Sequence, residues 1–470
     1  MKYFILIHFV FSCSASKAAI HLPAFFSDNM VLQQKMNDAI WGTASPNVSV
    51  QIKASWSGKI FSGVADSKGN WKIFVSAPAA GGPFTIKITD PGSDIILKNV
   101  LIGEVWFCSG QSNMEMPVRG YPGQPVNGSL DAIIHGDNPQ IHLLRVEKNL
   151  SVVPLSDVKG SWTESNAESV SEMSAVAFSF GKYLQEVLGV PIGIIHSSWG
   201  GTRIECWMSA DTLKHFPFVD LSKVPEKNAS VTPTILYNAM VAPFLGYGMK
   251  GCIWYQGESN RFEFKEYERL MPALINNWRS NWAIGDFPFY FVQIAPFSYW
   301  NEKNNSAFIR EAQLKSSIKT KNSGLAITMD IGGEMEIHPR EKFTVGKRLA
   351  YWALAKDYGM KNISCSGPVF TEMKKSGDSI RIVFNDESYG IAPDKLTPDS
   401  LVGGFEIAGT DREFHPAHAK MTGTSEITVW SDQLKAPAAV RYGWKNWFVG
   451  TLFSSAGLPA SSFRTDDWEQ

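Results

Sequence analysis

Cysteine is scarce in this chain: there are five in 470 residues. Cys13 lies in an apolar N-terminal stretch. The spacing of Cys108, Cys206, Cys252 and Cys365 forms neither a metal knuckle nor a disulfide framework. Cys108 and Cys252 fall in apolar, strand-like runs, which reads as buried free thiols. Net charge is missing too. Lys and Arg number 44 against 45 Asp and Glu, so no electrostatic footprint for nucleic acid exists. No apolar run is long enough to span a bilayer. There is no fixed-period repeat, no low-complexity segment, no phosphate-cradling glycine loop and no metal-ligand cluster. The expectation is therefore a protein without metal or cofactor, without a nucleic-acid partner and without a membrane span.

What is present is globular. Hydrophobic residues make up 44% and charged ones 19%. The length implies about three domains. Sixteen Trp suit sugar-stacking surfaces as well as cores. Residues 1–18 read as a signal peptide: Lys2 is the charge, Tyr3 to Phe11 the apolar core, and Ser16 to Ala18 a small-residue cleavage site. A secreted or periplasmic protein is expected.

Residues 19–98 alternate apolar and polar positions in short runs, as in Val48 to Lys53 and Phe84 to Ile88, which predicts an antiparallel β domain of sandwich type. From residue 99 to about 360 the pattern changes to strands alternating with helices. The strand-like runs are Ile102–Cys108, Ile192–His196, Gly251–Gln256, Phe289–Ile294 and Leu325–Met329. One helix places Met173, Val176, Ala177, Phe180, Leu184 and Val187 on one face and ends at Gly189. Others carry Tyr267 to Trp278, Ala307 to Ile318, and Pro339 to Tyr358. Five such strands imply a largely parallel sheet flanked by helices, with ligands beyond the strands' carboxyl ends. Residues 361–470 return to β character and predict a second β domain.

The chemistry-bearing residues follow the apolar strands. Ser112 comes just after Ile102–Cys108 and the turn Ser109-Gly110. A serine there, opening a helix, stands where an α/β hydrolase needs its nucleophile. The glycine-flanked elbow is absent, because Met114 occupies the second glycine position. A serine nucleophile needs a base. His338 lies in the loop after the last strand, and His196, ending the second strand, is its competitor.

The run Gly103-Glu-Val-Trp-Phe-Cys-Ser-Gly-Gln-Ser-Asn-Met-Glu-Met-Pro117 resembles the nucleophile block of the sialate O-acetylesterase family, within the SGNH (GDSL-like) hydrolases. Leu22 to Gln33, Ser198-Trp-Gly-Gly-Thr202, Trp254-Tyr-Gln-Gly-Glu-Ser-Asn260, Ile337-His-Pro339 and Phe463 to Trp468 resemble its further blocks, in the same order. The resemblance implies an SGNH-type hydrolase domain between two β-sandwich-like domains. It implies an esterase that removes O-acetyl groups from carbohydrate, with acetylated sialic acids as the leading substrate.

The resemblance also implies His338 as base and leaves its orienting acid open. SGNH enzymes commonly place Asp three residues before the His, but here that residue is Met335. Asp330, Glu258 and Glu336 are the candidates. The oxyanion donors are expected among the Ser112 N–H, Gly200, Gly201, Gln256 and Asn260. Arg203 is a candidate for binding a sialate carboxylate, with an ion pair to Glu205 as the alternative and Arg119 and Arg261 as substitutes. Two other readings stay open: an esterase for acetylated xylan, xyloglucan or a related glycan, and an inactive carbohydrate-binding protein.

Overall fold

The computed structural model describes residues 19–222, 229–299, 305–385, 390–395 and 401–468. The expected signal peptide, residues 1–18, lies outside them. The molecule is mixed α/β. Its central sheet has six parallel strands in the order Ser323–Ala326, Phe289–Val292, Gly251–Tyr255, Asp94–Gly110, Ile192–Ser198 and Asn138–Arg145. Trp162–Ser165 closes one edge antiparallel.

Alternation explains why this sheet is covered on both faces. Val105 and Phe107 enter one core cluster with Trp254, Phe289 and Phe291. Trp106 and Cys108, pointing the other way, join Ile253, Tyr290 and Val292 in another. The helices Phe264–Trp282 and Asn305–Lys319 contribute Leu270, Leu274, Trp278 and Ile309 to the first cluster. Ala175–Leu188 and Lys342–Lys356 cover the other face, with Val176, Phe180, Leu184 and Leu349. Ala175–Leu188 ends at Gly189, whose φ of 63° supplies the left-handed cap.

The strands Asn138–Arg145 and Trp162–Ser165 were not expected from sequence. The first carries Pro139 near its start, and the second is a four-residue edge; both weaken the alternating signal. A second difference concerns the boundary expected at residue 98. Asp94–Gly110 is one strand of 17 residues that runs through it. Its first half pairs with Gly81–Thr89 in the N-terminal sheet, and its second half is the middle of the central sheet. Hydrogen bonding therefore continues across the junction. Gln33 and Gln34 reinforce it by donating to Glu104, at 3.2 Å and 2.5 Å.

At the other end, two four-stranded antiparallel sheets enclose a shared core that includes Ile380, Ile382, Ile407, Ile427 and Val440. Its terminal strand docks on the central α/β unit. Arg464 makes a two-pronged contact with Glu311 at 3.0 and 3.1 Å, and within the C-terminal unit Arg441 grips Asp466 in the same way at 2.9 and 2.8 Å.

Candidate active site

Asp94–Gly110 is the topological switch of the central sheet, because the chain leaves it toward both edges. The turn that follows is dictated by Gly110. Its φ is 144°, and a Cβ there would lie 2.1 Å from the Tyr255 carbonyl oxygen. Gln111 N–H donates to that same carbonyl at 2.9 Å. Ser112 then opens the short helix Ser112–Glu115, where a first-turn N–H has no intrahelical acceptor. Met114, in place of the elbow's second glycine, is core.

The neighbours of Ser112 knit three loops together. The Gln111 side-chain carbonyl accepts the Gly257 and Ser259 N–H groups, both at 3.3 Å. Asn113 Nδ2 donates to Glu258 Oε1 at 2.5 Å and to the Ile337 carbonyl at 3.1 Å. Lys342 Nζ donates to Asn113 Oδ1 at 2.5 Å. The residue after Ser112 thus touches the residue before His338. The network is buried, and burial sets its electrostatics. It pushes the Glu258 carboxyl up and the Lys342 amine down to about 7, each partly offset by the other's charge.

His338 is half-buried, and its Nδ1 lies 2.6 Å from Gln124 Oε1. An amide oxygen only accepts, so Nδ1 carries the proton and Nε2 keeps a free lone pair. The Tyr121 ring stands edge-on to the imidazole at 5.7 Å. Burial, followed by the Lys342 charge, pushes the imidazole down to about 4, so it is neutral at pH 7.

No candidate carboxylate hydrogen-bonds His338. Asp330 is held by Arg348 in a two-pronged pair at 2.7 and 2.6 Å. Glu336 pairs with Arg340, four residues on. Glu258 lies beneath Asn113 with its second oxygen buried. The expectation of a carboxylate on the imidazole is thus replaced by Gln124. In physical terms, each acid found a cation or amide closer to its own element. The sequence signal for Gln124 is Pro122-Gly123: with Gly123 at φ 73°, it is a tight turn that returns the chain toward the site.

The oxyanion candidates divide. Gly200 approaches Ser112 closely: a Cβ on it would sit 3.2 Å from Ser112 Cβ. Its N–H, however, donates to Glu115 Oε2 at 2.5 Å. Gly201 has φ 72° and, among the described residues, its N–H has no acceptor. Gln256 uses both amide hydrogens, on the Thr202 carbonyl at 3.1 Å and on Asn260 Oδ1 at 2.8 Å. It has no N–H left for an oxyanion. Asn260 is fully buried and donates to Glu205 at 3.0 Å. These two amides brace the glycine loop.

Arg203 is engaged by Glu205 at 3.1 Å and Glu263 at 3.0 Å, so its fork is not open to a sugar carboxylate. Arg261 lies over the Phe262 and Tyr299 rings. His196 is buried, pushed down to about 3 first by burial and then by the Arg145 and Lys148 charges, and sits 2.6 Å from Ser198 Oγ. It is a structural histidine under the strand end. A cavity of about 320 Å³ opens beside the helix Ser112–Glu115, lined by Glu115, Arg119, Tyr121, Arg145, Lys148 and Ser198 among others. Among the described residues no helix is long and apolar enough to cross a membrane, and no group of three His, Cys, Asp or Glu could hold a metal.

Known proteins place this site in context. Residues 102–355 match the family described as carbohydrate esterase, sialic acid-specific acetylesterase. The mouse sialate O-acetylesterase is 30% identical, with 94% of this chain and 93% of the relative covered. The human enzyme is 28% identical over 94% of this chain and 91% of its own length. A crystal structure of a carbohydrate acetylesterase from Xanthomonas citri superposes with a TM-score of 0.88, at 34% identity, covering 96% of this chain and all of that one (100%). The matched region contains the loops that carry Ser112, Gly200, Glu258 and His338, and the chain belongs to the sialic acid-specific acetylesterase family of carbohydrate esterases.

Proposed function

We propose that this carbohydrate acetylesterase is an SGNH-type serine enzyme acting through an acetyl-enzyme, with O-acetylated sialic acids as its substrate. Ser112 Oγ attacks the acetyl carbonyl as its proton passes to His338 Nε2. The bond to the sugar oxygen breaks, and that oxygen takes the proton back from His338. Water, deprotonated by the same nitrogen, then attacks the acetyl-enzyme; the bond from Ser112 Oγ to the acetyl carbon breaks, Ser112 Oγ takes the proton back from His338, and acetate leaves. The Ser112 and Gly201 N–H groups stabilise the oxyanion. Gln124 holds the imidazole in the tautomer the first step needs. Asn113, Glu258 and Lys342 are positioning residues that fix the nucleophile loop against the His338 loop.

The observation that carries this reading is the Asn113 contact with the Ile337 carbonyl at 3.1 Å, which brings the chain on either side of Ser112 and His338 together. Sialate is favoured because the curated relatives are named sialate O-acetylesterases. Acetylated neutral glycans such as xylan or xyloglucan form the second reading. It gains from the engagement of Arg203 by two carboxylates.

The test is acetate release from acetylated sialosides, xylan and xyloglucan by the wild type and Ser112→Ala. Release from sialosides should fall roughly 10⁴-fold or more in the variant. A folded Ser112→Ala protein of near wild-type activity defeats the mechanism. Release from the plant glycans alone moves the substrate to the second reading.

A further inference from the structure

We propose that Arg145 receives the carboxylate of an acidic sugar whose acetyl group meets Ser112. The proposal rests on the serine esterase reading and gives its substrate class a residue. The cavity beside the nucleophile helix is where the rest of such a sugar would lie. Glu115, in its wall, is on the helix that Ser112 opens, and Tyr121, in the same wall, stands against the His338 ring.

Three cations line this cavity, and two are already held. Arg119 grips Glu172 with two nitrogens, at 2.6 and 3.4 Å. Lys148 pairs with Glu115 at 2.6 Å. Arg145 has one long contact, to the same Glu172 at 3.5 Å, and its side chain is 56% exposed. Of its five N–H donors, one is loosely used. A planar guanidinium with an open fork matches a carboxylate at two points, which an ammonium does not.

The lining as a whole is balanced, three cations against Glu115, Glu147 and Glu172. It therefore has no field that draws in anions at large. Recognition would come from the fork's geometry, which favours a carboxylate held at a fixed distance from the acetyl group. Arg203, the residue expected for this task from sequence, fails by the same test, since both sides of its fork are occupied.

The experiment compares an O-acetylated sialoside with its C1 methyl ester, which keeps the acetyl group and loses the negative charge. The readout is the ratio of kcat/KM for acid over methyl ester. A charge-assisted contact predicts a wild-type preference of about 10- to 100-fold, carried in KM. In Arg145→Gln the ratio should fall to near one. Arg145→Lys, which keeps the charge and loses the fork, should give an intermediate ratio, and it also covers the case that Arg145→Gln folds poorly. The proposal is overturned if the wild type treats acid and methyl ester alike, if Arg145→Gln keeps the preference, or if the variant loses both substrates in proportion. Failure of the serine reading looks different: acetate release from either substrate would survive Ser112→Ala.

Discussion

Gln124→Glu places a carboxylate where the structure has a neutral amide, 2.6 Å from His338 Nδ1. An anion at hydrogen-bond distance favours the protonated imidazole, and opposite charges this close shift a pKa by about 1–3 units. Residue 124 is exposed, so solvent screening reduces the effect, and about 1–2 units is the working figure. Starting from about 4, the imidazole would move to between about 5 and 6. The sign for activity is fixed, because protonated His338 cannot act as a base. Wild-type kcat/KM should fall as pH drops through about 4. In the variant that fall should begin about 1–2 pH units higher, with plateau turnover kept or raised by the better-stabilised imidazolium. The assay is the pH profile of chromogenic acetate-ester hydrolysis, with a melting curve at each pH. An acid limb that stays in place, in a variant that remains folded, refutes Gln124 as the partner of His338. It would mean that a carboxylate reaches the imidazole when substrate binds.

Further predictions follow from the other charged residues. Asp330→Asn leaves Arg348 as a nearly buried, unpaired cation and should cost roughly 3–5 kcal/mol of stability, while turnover of the folded fraction stays within a few-fold. Denaturant unfolding and active-site-titrated kinetics separate the two effects, and a selective loss of turnover would restore Asp330 to the catalytic set. Asp38, in the N-terminal β unit, is buried, and burial pushes it up from 3.8 to about 8. Its folded pKa is raised, so its contribution to stability is whole below pH 3.8 and lost as pH rises through about 8. Asp38→Asn should therefore raise the melting temperature more at pH 8 than at pH 5, and an equal rise at both would contradict that assignment.

Much of this was legible in the sequence because periodicity and site chemistry coincide. Ile102–Cys108, Gly251–Gln256 and Phe289–Ile294 are dense apolar runs buried on both faces, and the structure contains all three as parallel strands. Asn138–Arg145 and Trp162–Ser165 carry no such signal, since Pro139 and an edge position blur a period of two. The site was legible as far as loops were concerned: the four loops bearing Ser112, Gly200, Glu258 and His338 follow strands at one sheet edge. What was not legible is which side chains pair. Arg348 lies 18 residues from Asp330, and Gln124 lies 214 from His338. Such partners are set by tertiary packing, and spacing along the chain carries no trace of them. Arg203 shows the converse. Its neighbour Glu205 was visible two residues away, and the local ion pair prevailed.

The proposed mechanism stands on Ser112 as the nucleophile. Its most direct test is covalent labelling with a fluorophosphonate, followed by peptide mass spectrometry. One label per chain is expected, on the peptide that contains Ser112, rising in step with loss of acetylesterase activity and absent from Ser112→Ala. Inactivation with the label on another residue, or full activity in a protein labelled at Ser112, would contradict it.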